Sequence, residues 1–382
     1  MVKSFTAVTR EIDDADAAVA EITEQIGIDK NLLKNSIGII SCFSEFSDTG
    51  VLGAVCDALP FDCIGASTSI SYSKGESDQV IFAITVLTSD DCSFETVSIP
   101  LSENYEESID SMLSAKLAER SKKPVLMLSY FPLMNTVSGD MILNAVDKVT
   151  GGTPLFGTCT VDHTSDYSTS VTIFNQETYR ESAVFGLIYG DLDYSFEIAA
   201  LNEKKIRNQK GVVTESNGNI LISINNTPAL EYFKDIGITE AVLKTGSGIL
   251  PLVIDFKDGT APVARAVIAQ TPEGHFVCGG SMPEGSTLAI GRVDFDDVLN
   301  TTEAKLQPFV ETDGFILGYS CIARYLALGF DITAEAEKVS EIAGDRNYMY
   351  ACSGGEICPL PDADGKLKNT YHNYTIALCK LR

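Results

Sequence analysis

What most limits the folds open to this chain is a pattern that occurs three times along it. In the first occurrence, residues 37–43 form a continuous apolar run, Leu52, Val55, Cys56 and Leu59 follow at helical spacing, a second apolar run covers 61–66, and an alternating strand covers 80–87. The second has the same parts: 125–131, then Met141, Ile142, Ala145, Val146 and Val149 on one helical face, then 155–159 and 170–174. The offset between the two is about ninety residues, within the range of repeat architectures. A third begins at 315–321, continues through a helix near 336–342, and ends with strands at 348–353 and 374–379. A strand-helix-strand passage implies parallel pairing through a right-handed crossover, whereas hairpin-like pairs between the copies imply antiparallel edges. The expected class is therefore α/β: mixed parallel and antiparallel sheets flanked by helices, made of repeated strand-helix-strand-loop-strand units.

A β-rich stretch separates the second and third copies, with strands expected at 220–224, 250–254, 265–269, 275–279 and 288–293. A short helix at 228–234 is announced by Asn226 and Thr227 as caps and Pro228 at its first position. At 382 residues the chain exceeds the size of one ordinary core. The polar stretch 202–210, with Lys204, Lys205, Arg207 and Lys210, marks the expected boundary between domains 1–201 and 202–382.

A hydrophobic content of 45% with 21% charged residues is that of a chain folded throughout. The net charge of −25 repels phosphate backbones and anionic lipid surfaces, so neither nucleic acid nor membrane is an expected partner. Arg10, Glu11, Asp13, Asp14 and Asp16 interrupt the start before any apolar signal region could form. The longest apolar stretch, 315–332, contains Arg324 and Asp331 and reads as a strand running into a helix. Ten cysteines are scattered without a C-x-x-C pair, which fits reduced, buried thiols and a cytoplasmic location. His163, His275 and His372 lie far apart with no cysteine at metal-finger spacing, and no phosphate-binding glycine loop occurs, so no metal or nucleotide cofactor is expected.

Small and polar residues follow the second strand of every copy: Gly65, Ser67 and Thr68; Gly157, Thr158 and Thr160; Ser353, Gly354 and Gly355. Loops beyond the carboxyl ends of parallel strands hold ligands in such sheets, and glycine admits a ligand close to backbone N–H groups. The alternative is that these glycines make tight turns. His372, Asn373 and Glu356 combine a switchable ring, an amide and an anion, able either to hold a ligand or to fasten two loops. Arg292, in an apolar strand, could meet a ligand carboxylate or pair with Asp294 or Asp296. An enzyme reading uses Cys159 as nucleophile with His163 as base and Asp162 nearby, or, more weakly, Cys352 with His372; no nucleophile elbow accompanies either pair.

The ending Tyr350-Ala351-Cys352-Ser353-Gly354-Gly355-Glu356-Ile357-Cys358-Pro359, followed by His372-Asn373-Tyr374-Thr375, resembles the closing signature of the FIST C-terminal domain. Met282-Pro283-Glu284-Gly285-Ser286 resembles that family's hydrophobe-Pro-Glu-Gly turn, and Pro228-Ala229-Leu230-Glu231-Tyr232 its early helix; Gly65-Ala66-Ser67-Thr68 is similar to its N-terminal domain. The resemblance implies a cytoplasmic sensory module that binds a small ligand, amino acids among the candidates, and works with a separate signalling protein. The expected ligand-binding residues are Ser67, Thr68, Thr158, Arg292, Ser353, Gly354, Gly355, Glu356, His372 and Asn373, gathered around one hollow. A cysteine-dependent hydrolase or transferase and a scaffold joined through a sheet edge are the alternatives.

Overall fold

The computed structural model describes residues 1–73, 76–134, 137–164, 166–238, 250–362 and 364–382, the side chains of 76–78 excepted. The three repeated segments form three six-stranded sheets. The first runs Lys3–Thr9, Phe82–Ser89, Asn35–Cys42, Cys63–Ser67, Thr172–Phe174, Glu177–Tyr179. The second runs Ser93–Pro100, Ser182–Tyr189, Leu126–Phe131, Leu155–Cys159, Glu356–Ile357, Tyr371–His372. The third runs Tyr194–Ala199, Ile376–Leu381, Phe315–Cys321, Tyr348–Ser353, Ser71–Ser73, Glu76–Asp78. In each sheet the two strands joined by a crossover helix are parallel, while the flanking pairs are antiparallel.

Every sheet is completed by strands from another unit. The loop of the first unit adds Ser71–Ser73 to the third sheet, that of the second adds Thr172–Phe174 to the first, and that of the third adds Glu356–Ile357 to the second. This cyclic exchange links the units into a closed ring. Their inner faces share one core, in which Ile37, Ile39, Leu126, Leu128, Leu317 and Met349 are all fully buried. The opposite faces are covered by helices: Ala15–Ile26 and Val51–Ala58, then Tyr105–Ala118 and Gly139–Thr150, then Phe295–Phe309 and Ala334–Ala343. Sheets buried on both faces explain why their strands read as continuous apolar runs.

Close approach fixes two glycines. In the parallel registers Ile40 lies opposite Gly65 and Ser129 opposite Gly157, and a side chain at either glycine would run into the carbonyl of its partner strand. Tyr350 stands at the matching place in the third unit, opposite Gly318.

The structure corrects one strand and extends the repeat. The strand expected to close the second unit at 170–174 instead leaves it to pair with the first sheet; Ser182–Tyr189 takes the closing position beside Leu126–Phe131. Apolar alternation in so short a run specifies a strand but not its partner. Each unit also opens with an edge strand, Lys3–Thr9, Ser93–Pro100 or Tyr194–Ala199, which pairs with the closing strand of the same unit, Phe82–Ser89, Ser182–Tyr189 or Ile376–Leu381.

The third unit is interrupted after its edge strand by an antiparallel eight-stranded sheet, in the order Val263–Arg265, Leu252–Asp255, Thr287–Ile290, Lys210–Asn217, Ile220–Ile224, Phe276–Cys278, Val267–Gln270, with Thr227–Pro228 branching from Ile220–Ile224. This inserted sheet has a core of its own, in which Leu221, Phe233, Leu252, Phe276 and Leu288 are buried. The ring resumes at Phe295–Phe309, whose start is fixed by a capping box between Asp294 and Asp297. Among the described residues, no helix is long and apolar enough to cross a membrane.

Candidate functional site

The three turns after the second strands meet at one end of the ring and bond to one another. The Ser67 hydroxyl donates to the Val161 carbonyl at 2.9 Å and accepts from the Val171 N–H, and the Thr68 hydroxyl lies 2.9 Å from the Cys352 carbonyl. Thr158 and Ser353 pair through their hydroxyls at 2.7 Å. The Gly354 N–H donates to the Cys159 carbonyl and the Cys159 N–H to the Gly355 carbonyl, both at 2.9 Å. Ser67, Thr68, Thr158 and Ser353 are buried. Groups so paired have their bonding needs met by the protein itself, and these turns act as fasteners between units.

Glu356, His372 and Asn373 are neighbours in the same way, yet each faces a different partner. Glu356 sits opposite His372 in the backbone register, but the His372 ring reaches past it, its Nε2–H donating to the Cys358 carbonyl at 3.0 Å. Burial pushes the ring down to about 4, so it is neutral. Asn373 donates to the His372 carbonyl and accepts the Ala266 N–H at 3.1 Å, joining the ring to the inserted sheet. The next residue, Tyr374, holds φ at +62°, uncommon for an aromatic residue. That turn lets Thr375 reach back, its hydroxyl donating to Glu356 Oε2 at 2.7 Å. Among the described residues Glu356 Oε1 has no hydrogen-bond partner, and burial raises this carboxyl to about 8, so it is mostly protonated at neutral pH.

Arg292 lies beyond the end of Thr287–Ile290, largely exposed, 3.8 Å from Asp294 and apart from this cluster. Cys159 is buried and its thiol is pushed up to about 12 by desolvation. His163 is exposed, its ring tilted at 41° against that of Phe43 with centres 4.5 Å apart, and it lies 4.0 Å from Glu45. A thiol held in that state supplies no thiolate at neutral pH. Cys352 is raised likewise, and the His372 nitrogen that would serve it is engaged with Cys358.

Beside the turns, the inserted sheet leaves a cavity of about 90 Å³ against the ring. The inserted sheet contributes Ala266, Ile268 and Gly279; the third unit contributes Cys321, Ile322, Ala323 and Leu326, together with Gly354 and Asn373; the second contributes Leu133 and Tyr167. Two of the residues expected from the sequence, Gly354 and Asn373, thus border open space, and the first unit's Ser67 and Thr68 do not. Leu326, 47% exposed, brings one side of the cavity to the surface. Among the described residues its wall carries no charged side chain. A smaller void of about 10 Å³, room for about one water, lies behind Leu133, Ile268 and Gly279, which border both spaces, and touches Ser138, Cys159 and Tyr371.

The same region holds a buried ion pair that the sequence reading missed. Arg265, 1% exposed, donates to the Tyr371 carbonyl at 2.9 Å and lies 3.4 Å from Asp140 at the start of Gly139–Thr150. Its guanidinium packs over the Phe256 and Tyr371 rings, and among the described residues its Nε has no hydrogen-bond partner. The signal was available, since Arg265 is a lone cation in an apolar run, the reasoning that had singled out Arg292. A second buried pair, Arg324 and Glu335 at 2.6 Å, is saturated by Thr302, Ser320 and Tyr350 and serves as a fastener in the third unit.

Residues 36–227 match the FIST N domain and 229–359 the FIST C domain. The chain belongs to the FIST family, whose domains are sensory, signal-transduction domains. No curated protein matches it. Among solved structures it is similar to cyanuric acid hydrolase from A. caulinodans, at 10% identity and a TM-score of 0.26, over 50% of this chain and 71% of that one.

Proposed function

We propose that this protein is a small-ligand sensor whose ligand occupies the cavity between the inserted sheet and the third unit. The observation that carries this reading is the cavity itself: the turn residues close directly on one another, whereas beside them the inserted sheet stands off from the third unit and Gly354 and Asn373, themselves bonded within the protein, line about 90 Å³ of space. The wall favours a neutral molecule over a free amino acid, whose ammonium and carboxylate would be desolvated without charged partners. Size limits it further. An engineered apolar cavity of about 150 Å³ holds benzene, so about 90 Å³ suits a molecule of roughly four or five heavy atoms. With at most about 1.5 kcal/mol per heavy atom, binding reaches about 6 to 7.5 kcal/mol, a Kd no tighter than about 3 μM.

The ten free, buried thiols support a reducing, cytoplasmic location, and a separate signalling protein is the proposed recipient of the bound state. The division at 201/202 is proposed as the point where the inserted segment begins, just after Tyr194–Ala199. The sensor reading is tested by thermal shift against a panel of small neutral amides and alcohols beside free amino acids. A saturable rise in Tm with neutral compounds is expected by mass action. A response to charged amino acids alone would move the ligand elsewhere, and a flat response to the whole panel would overturn the reading.

A further inference from the structure

We infer that the inserted sheet is a movable cover over this cavity, and that Arg265 with Asp140 is the latch that holds it shut. The inference rests on the sensor reading for its purpose but not for its mechanics. A cover must be able to move as a body: the inserted sheet has a core of its own, and what it shares with the third unit is a smaller apolar cluster in which Ala264 meets residues such as Cys321, Ala323 and Tyr374. It must also be held where the cavity is. Arg265 immediately precedes the wall residue Ala266, and Ser281, whose N–H donates to Asp140 Oδ2 at 2.6 Å, follows the wall residue Gly279 by two positions. A molecule pressing on Ala266 and Gly279 therefore pushes on both arms of the latch.

The latch is strong enough to close and incomplete enough to open. Asp140 Oδ2 accepts from the Ser281 N–H, and Oδ1 accepts from the Ser138 hydroxyl at 2.5 Å, so the carboxylate is anchored on the ring side at the start of a 12-residue helix. Arg265 reaches that carboxylate at only 3.4 Å, and among the described residues its buried Nε has no hydrogen-bond partner. By contrast, Arg324 and Glu335 inside the third unit meet at 2.6 Å with hydroxyl partners on both oxygens. Both pairs are buried, but only the imperfect one spans the two bodies. Gly280 lets the guanidinium lie flat against the chain, since a side chain there would meet Arg265 Nε at 2.5 Å.

Hydrogen exchange of the intact protein, read by mass spectrometry without ligand, tests the latch. In Asp140→Asn, amides of 263–281 should exchange at least tenfold faster than in wild type, while those of 315–321 and 348–353 keep their rates. Arg265→Lys should give an intermediate acceleration, and provides the test if Asp140→Asn fails to fold. Equal acceleration in both regions, or none in either, would overturn the latch. Repeating the wild-type measurement in saturating n-butanol separates the two proposals: slower exchange of 263–281 in butanol supports cavity occupancy. An unchanged rate in butanol, with Asp140→Asn still accelerated, sinks occupancy by this neutral probe and leaves the latch standing.

Discussion

The turns at the end of the ring and the cavity beside them share Gly354, yet they differ in how closely their parts meet. At the turns, Ser67, Thr68, Thr158 and Ser353 spend their hydroxyls on neighbouring units. At the cavity, Gly354 and Asn373 are bonded as well, to Cys159, His372 and Ala266, but the inserted sheet stands off from the third unit and leaves about 90 Å³ between them. The difference follows from symmetry. Where three copies of one turn meet, each supplies what the next requires and the ring closes on itself. The inserted sheet is present in only one copy, and the mismatch it creates against the ring is where the cavity lies.

The largest effect should come from the fasteners. Gly157→Ala places a methyl against the Ser129 carbonyl, and this should cost about 3 kcal/mol or more in denaturant unfolding. A cost under about 1 kcal/mol would mean that the ring is not closed as tightly as the register implies.

Next is a pH effect centred on Glu356. Its carboxyl is raised in the fold, from an ordinary 4.5 to about 8, so between these values the unfolded chain holds fewer protons and stability falls as pH rises. His372 acts in reverse: its folded value of about 4 lies below the ordinary 6.5, so its contribution is lost as pH falls through that interval. The two slopes oppose each other up to about pH 6.5. Wild type should therefore be nearly level there and lose a few kcal/mol from about pH 6.5 to 8, a loss that Glu356→Gln abolishes in urea titrations across that range. An unchanged slope in the variant would show that Glu356 is already paired and ionised.

A smaller effect sharpens the cavity side. Leu133 separates the two voids, so Leu133→Ala should join them at a cost of about 2 kcal/mol and shift the preferred neutral ligand toward larger compounds in thermal shift. The smallest belongs to Arg292. Exposed and weakly paired with Asp294, it should tolerate Ala within about 0.5 kcal/mol and leave ligand response untouched. A lost response would return Arg292 to the site.

Much of this organisation was legible in the residues. Three strand-helix-strand passages are visible because strands buried on both faces read as apolar runs, and glycines mark where parallel strands meet. The FIST relationship was legible too, carried by the ending from Tyr350 to Thr375. What the pattern could not carry was partnership. Thr172–Phe174 and Ser71–Ser73 look like local strands, and nothing in their alternation says that they complete sheets belonging to other units. The site was hidden for the same reason. Glu356 and His372 form an inviting pair in sequence, yet Thr375 and the Cys358 carbonyl claim them, while Arg265 acquires its meaning from Asp140, 125 residues away.

Ala323, 2% exposed, lines the cavity from the third unit and makes no part of the turn cluster. Calorimetric titration of wild type and Ala323→Leu with the best neutral compound from the thermal screen therefore tests the central claim directly. A ligand seated between the inserted sheet and the ring should lose at least tenfold in affinity when the larger side chain fills its space, with urea unfolding nearly unchanged. Equal affinity in the two proteins would put the ligand somewhere else.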